Sequence, residues 1–145
     1  MATITPPNYA DTVGIPYQSS DTIVLPPEGL LAGDYPPQSG EDMMVAASQN
    51  IAARTPLGLD GSGNIVPAVQ GTTQAIGFCL IAIVTDASST LKAYPIRRTG
   101  VYNPNALNWP ASYDTDEKKL EAFRGANSPT QIIMRRPKTG TVVLP

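Results

Sequence analysis

From Met43 onward, apolar residues come in short runs, and each run is cut off by glycine, asparagine, aspartate or serine. This is the rhythm of β-strands joined by tight turns. Met43 to Ala47 reads as a strand and Ser48-Gln49-Asn50 as a turn. Ile51 to Leu59 reads as a further strand in which Pro56 implies an edge or a bend, with a short helix as the competing assignment. Asp60-Gly61-Ser62-Gly63-Asn64 is a strong turn signal before a strand over Ile65 to Val69, so a hairpin is predicted there, and Gln70 to Thr73 turns again. Ala75 to Val84 is almost wholly apolar, which suits a central strand covered on both faces, with Cys79 as a small buried hydrophobe. Asp86 to Ser89 then turns the chain into an alternating strand over Thr90 to Arg98, continued by Gly100-Val101-Tyr102.

The alternation changes to a helical spacing once. Asp114 is placed to cap, Glu117 follows three residues later as a capping box requires, Leu120 and Phe123 share a face, and Gly125 ends the segment. A helix of about three turns holds only by packing that face on the sheet. Gln131 to Met134 reads as a last strand, and the run from Arg135 to the small apolar Thr141-Val142-Val143-Leu144 reads as a tail. The fold class predicted by these elements is mainly β with one short α-helix.

The first 40 residues follow neither rhythm. Pro6, Pro7, Pro16, Pro26, Pro27, Pro36 and Pro37 forbid a helix and break any long strand, yet Ile4, Tyr9, Val13, Ile15, Tyr17 and Ile23-Val24-Leu25 carry apolar surface. One reading is an extended arm that buries those residues on another chain, with Thr22 to Leu25 pairing as a short strand before Pro26 stops it. The other is a disordered leader.

Composition narrows the chemistry. A formal net charge of -2 with 10 Lys and Arg leaves no basic background for a polyanion, so nucleic acid is not an expected partner. With no histidine and a single cysteine, the chain lacks the side chains of a Ser-His-Asp or Cys-His centre and of a zinc site, and cannot form an intrachain disulfide. No cofactor or metal is expected, nor any enzymatic activity. The carboxylates Asp114, Asp116, Glu117 and Glu121 are explained by their position at a helix start. The opening MATITPPNYA has neither a basic start nor an apolar run, and Ala75 to Val84 is too short to span a bilayer, so neither export by a signal peptide nor a membrane partner is expected.

Several segments together resemble a known family. Arg54-Thr55-Pro56-Leu57-Gly58-Leu59-Asp60, then Ala75-Ile76-Gly77, then Leu107-Asn108-Trp109-Pro110, Asp116-Glu117-Lys118-Lys119 and Ala122-Phe123-Arg124-Gly125 resemble, in order and spacing, the head decoration proteins of lambda-type bacteriophages. Ala32-Gly33-Asp34-Tyr35-Pro36 and Val45 to Asn50 look like the start of the folded part in that group. The resemblance covers about residues 32–132 and implies a β-clip-like, partly open barrel with a short helix and an N-terminal arm. The long proline-rich leader and the tail from Met134 to Pro145 depart from the family, so the chain is divided as an extended arm over 1–31, a β domain over 32–133 and an extended C-terminal tail over 134–145. The resemblance also implies a non-enzymatic homotrimer on the outer surface of the virion. This would bind the major capsid protein of the expanded head through the arm and stabilise the head against internal DNA pressure.

The candidate arm residues are Tyr9, Tyr17, Thr22, Ile23, Val24 and Leu25. Tyr35, Trp109, Arg97, Arg98, Arg135 and Arg136 are candidates for the trimer or capsid interface, although Trp109 reads equally as an ordinary core tryptophan and surface arginine pairs are usually solvated. A reading from a different class is a β-rich carbohydrate- or receptor-binding surface module, with Tyr94, Tyr102, Tyr113 and Trp109 lining a concave site.

Overall fold

The computed structural model describes residues 22–24, 29–88, 92–126, 130–136 and 141–143. The chain divides into two units, one made of 26–138 and the other of 1–25 with 139–145. In the smaller unit, β1 (Thr22–Val24) pairs antiparallel with β11 (Thr141–Val143).

The larger unit is organised by one long strand, β9 (Lys92–Tyr102). Arg97 and Ile96 pair with Gly40 and Glu41 of β3 (Ser39–Val45) and also with Phe78 and Cys79 of β7 (Gly77–Cys79), so those two strands flank β9 on opposite edges. Further along, β2 (Leu31–Gly33) and the parallel β10 (Gln131–Met134) flank the other end of β9 in the same way. β7 also pairs with β5 (Pro56–Leu59), and β5 pairs with β6 (Ile65–Pro67). A parallel contact between Val45 and Ile65, with Ala46 N–H donating to Ile65 O at 3.0 Å, returns the chain of pairings to β3. Five strands thus close into a small barrel, in the order β9-β3-β6-β5-β7 and back to β9. The single Val45–Ile65 register pair makes β3–β6 its narrowest seam.

The predicted hairpin is present between β5 and β6. The Asp60 carboxylate accepts from the N–H groups of Ser62 (2.8 Å) and Asn64 (2.9 Å), and Gly63 takes a φ of +82°, so the turn is held by the local bonding that Asp and Gly favour.

The expected central strand over Ala75 to Val84 differs. Ala75 to Cys79 are all buried, but the chain leaves the barrel at Leu80 and Ile81 and continues as β8 (Ile83–Val84), paired with β4 (Asn50–Ile51) in a separate sheet. A continuous apolar run reads alike whether it is one strand or two, because hydrophobicity without alternation carries no register. The same region resolves the open choice over Ile51 to Leu59, which is β4 and β5 joined by a turn and contains no helix.

Two apolar clusters fill the unit. One gathers Phe78, Tyr102, Leu107, Tyr113, Phe123 and Ile132; the other gathers Val45, Ile51, Leu57, Ile65, Cys79, Ile83 and Ile96. The adjacent residues Phe78 and Cys79 belong to different clusters, as neighbours on a strand must when both faces are covered. Phe78 meets Tyr102 edge to face at 4.7 Å between ring centroids. Such a contact adds about 0.5–1.5 kcal/mol to the burial of the two rings.

Helix α1 (Asp116–Glu121) is shorter than expected, and its cap is Thr115, whose hydroxyl accepts from Lys118 N–H at 3.4 Å. Asp114 instead pairs with the Lys118 ammonium at 2.6 Å. Threonine and aspartate are both competent caps, but the one-residue shift puts Lys118 rather than Glu117 at the third helical position, so the expected capping box does not form. Phe123 reaches the core from the turn after the helix, where Gly125 takes a φ of +70°.

Candidate interaction site

The arm strand forms at Thr22–Val24, in register Thr22–Val143, Ile23–Val142 and Val24–Thr141 with β11. A pairing strand was expected here, but with another chain as its partner and with the C-terminal run as a tail. The signal for the observed pairing lies in the two runs themselves, Thr-Ile-Val and Thr-Val-Val, both β-branched throughout. Tyr9, Tyr17 and Leu25 lie outside the described residues.

Where the larger unit begins, Asn103 acts as a buried polar hub. Its side-chain amide donates to Gly29 O at 3.0 Å, its backbone N–H donates to Leu30 O at 2.9 Å, and its side-chain oxygen accepts from Asn105 N–H at 3.0 Å. The segment that follows the arm is therefore fastened to the end of β9. Sequence reasoning passed over Asn103; its place just before Pro104, a position favouring an Asx turn, was the available signal.

The remaining candidates do not form one cluster. Tyr35 is 84% exposed beside a hollow lined by Pro36, Arg124, Thr130 and Ile133. Arg97 is half-exposed and lines a shallow groove with Glu41, Asp42, Ile81 and Pro95. Arg98, its neighbour, points the other way: its side chain is only 9% exposed and is ion-paired with Glu41, whose own side chain is 57% exposed. Arg98 also lies 3.4 Å from the Met43 sulfur, so it is engaged inside the unit rather than presented outward. Glu41, which positions it, was not singled out from the sequence. Arg135 and Arg136 are exposed at the end of β10; Arg135 N–H donates to Tyr102 O at 3.0 Å, and the Arg136 guanidinium lies 2.5 Å from the Asp116 carboxylate.

Trp109 packs half-buried in an aromatic group with Tyr113 and Phe123, at centroid distances of 5.1 and 6.3 Å, and its indole N–H donates to Pro104 O at 2.7 Å. The concave aromatic site of the carbohydrate-binding reading is not assembled. Tyr102 and Tyr113 are core residues, the Tyr102 hydroxyl is spent on Thr99 O at 2.7 Å, and burial pushes both phenols above their ordinary pKa. The acidic residues around α1 are exposed, and hydrogen bonding from Lys118 holds the Asp114 carboxyl below its ordinary value. Among the described residues no group of three His, Cys, Asp or Glu is arranged to hold a metal ion.

Among the described residues, the exposed large apolar side chains are Leu31, Tyr35, Met44, Val69, Ile81, Val84 and Ile133; Tyr35 and Ile133 line the same hollow, and Ile81 lines the groove beside Arg97. No curated protein matches the chain at a significant level. The family model for bacteriophage lambda head decoration protein D matches residues 23–129, which run from inside β1 through the whole barrel and α1 and stop just before β10. The match spans most of the chain, and the chain belongs to the bacteriophage lambda head decoration protein D family, a structural family of the phage head.

Proposed function

We propose that the chain binds as a homotrimer to the outside of the expanded phage head, through an N-terminal arm that adds a strand to the major capsid protein, and so stabilises the head against internal DNA pressure. The observation that carries this reading is the family match itself, which includes the arm strand from Ile23 together with the barrel. In physical terms no reaction centre is needed. A protein that binds the expanded shell and not the unexpanded one stabilises the expanded state by mass action, by RT ln(1 + c/Kd) per site, where c is its free concentration.

Three arms on one trimer make the later contacts intramolecular, so that modest single contacts give slow release. Main-chain pairing by Thr22 to Leu25 supplies affinity, and Tyr9 and Tyr17 are flat anchors with a polar tip. Tyr35, Arg97, Arg135, Arg136 and Trp109 are the proposed contributors to the trimer or capsid interface. The division into an arm over 1–31, a β domain over 32–133 and a tail over 134–145 belongs to the same proposal.

Sedimentation of purified protein with expanded and unexpanded heads tests the reading. The expected result is saturable binding to expanded heads only, with a raised temperature of DNA release. Equal binding to both forms, or none to either, overturns it.

A further inference from the structure

We propose that β11 is a built-in second strand of the docking arm: it holds β1 extended along one edge and leaves the other edge of β1 for a strand of the shell, so that the two strands dock as one ribbon. The inference rests on the docking reading above and adds to it a role for residues beyond the family match.

An isolated run of three residues is too short to persist as a strand, and fixing each residue's backbone costs about 1–2 kcal/mol. Here the three residues of β1 are already aligned by three register partners in β11. Both runs are β-branched throughout, the composition that tolerates extended backbone best. Ordering that would otherwise accompany binding is therefore completed within the chain beforehand. In a two-stranded ribbon each strand keeps one unpaired edge, whose row of N–H and C=O groups is complementary to another extended strand. The edge of β1 is assigned to the shell because the family match begins within β1 and ends at residue 129, so β1 lies in the shared part and β11 in this chain's extension.

The test uses the full-length chain carrying Ile23→Cys and Val142→Cys, which are register partners. Cross-strand partners lie roughly 4.5–5.5 Å apart at Cα, within the span a disulfide bridges. Cys79 is buried and stays outside the exchange. A second variant ends at Lys138, which keeps the larger unit whole. Binding of both to expanded heads is compared with that of the unaltered chain.

The expected results are that the disulfide forms in the free protein, that the oxidised variant binds at least as tightly as the reduced one, and that the shortened chain binds about tenfold more weakly. Three outcomes overturn the inference alone while the unaltered chain still binds. These are absence of the disulfide under oxidation, loss of binding on oxidation until reductant restores it, and binding by the shortened chain as tight as by the full one. An unaltered chain that binds no heads overturns the docking reading and this inference with it.

Discussion

Tyr102 folds back over Gly100 so closely that a Cβ on Gly100 would lie 2.6 Å from the phenol oxygen, while that oxygen donates its proton to Thr99 O at 2.7 Å. Gly100 also has a φ of +131°, a backbone conformation that L side chains rarely adopt, and it sits where β10 joins β9. Gly100→Ala combines backbone strain with a clash and is expected to lower stability by about 3 kcal/mol. Tyr102→Phe removes only the hydrogen bond and is expected to cost about 1 kcal/mol. Urea unfolding of both variants checks the ranking, and near-equal losses contradict it.

The Glu41–Arg98 pair predicts an asymmetry. Arg98 is the nearly buried partner, packed against Met43, whereas Glu41 faces water over more than half its side chain. Arg98→Ala loses packing as well as charge pairing and is expected to cost about 2–3 kcal/mol. Glu41→Gln keeps the shape at the exposed end, where solvent screens the charge, and is expected to cost about 1 kcal/mol or less. Thermal melts of the two variants at low and moderate salt test this order.

Stability is expected to decline on the alkaline side. Burial raises the Cys79 thiol above its ordinary value, against the opposing effect of backbone hydrogen bonds, and burial raises Tyr102 and Tyr113 likewise. A group with a raised folded-state pKa contributes stability that is complete below its unfolded value, near pH ~8.5 for the thiol and ~10 for the phenols, and is lost as pH rises through the folded value. Melting temperature should therefore fall above about pH 8.5, and Cys79→Ala should flatten the first part of that fall. Iodoacetamide should label Cys79 only as fast as the protein unfolds, so rapid labelling of the folded protein refutes the assignment.

Deletion of residues 1–28 should leave the barrel's circular dichroism and the oligomeric state intact while greatly weakening binding to expanded heads. Asn103 holds the chain at Gly29 and Leu30, so the cut falls just outside the fastened part. Light scattering at micromolar concentration should report a trimer for both forms. A monomer, or unchanged binding after the deletion, contradicts the proposed mechanism at the corresponding step.

Much of the fold was legible along the chain wherever a residue's own chemistry settles its conformation. Asp60 and Gly63 mark the β5–β6 hairpin, Gln131 to Met134 mark the last strand of the barrel unit, and the arm strand is readable at Thr22 to Val24 from β-branched residues stopped by Pro26. The lambda-type family resemblance and the mainly β class followed from such local signals taken in order, and both are borne out.

Other features depended on which distant edges meet. The break at Leu80–Ile81, the narrow Val45–Ile65 seam that closes the barrel, the inward turn of Arg98 beside an outward Arg97, and the choice of β11 as partner for β1 are all settled by non-local pairing. Turns and β-branched runs determined by themselves where the backbone extends or reverses, because those preferences come from sterics and hydrogen bonds within a few residues. Register and partner were decided only by the tertiary structure, because any strand edge offers the same row of main-chain donors and acceptors.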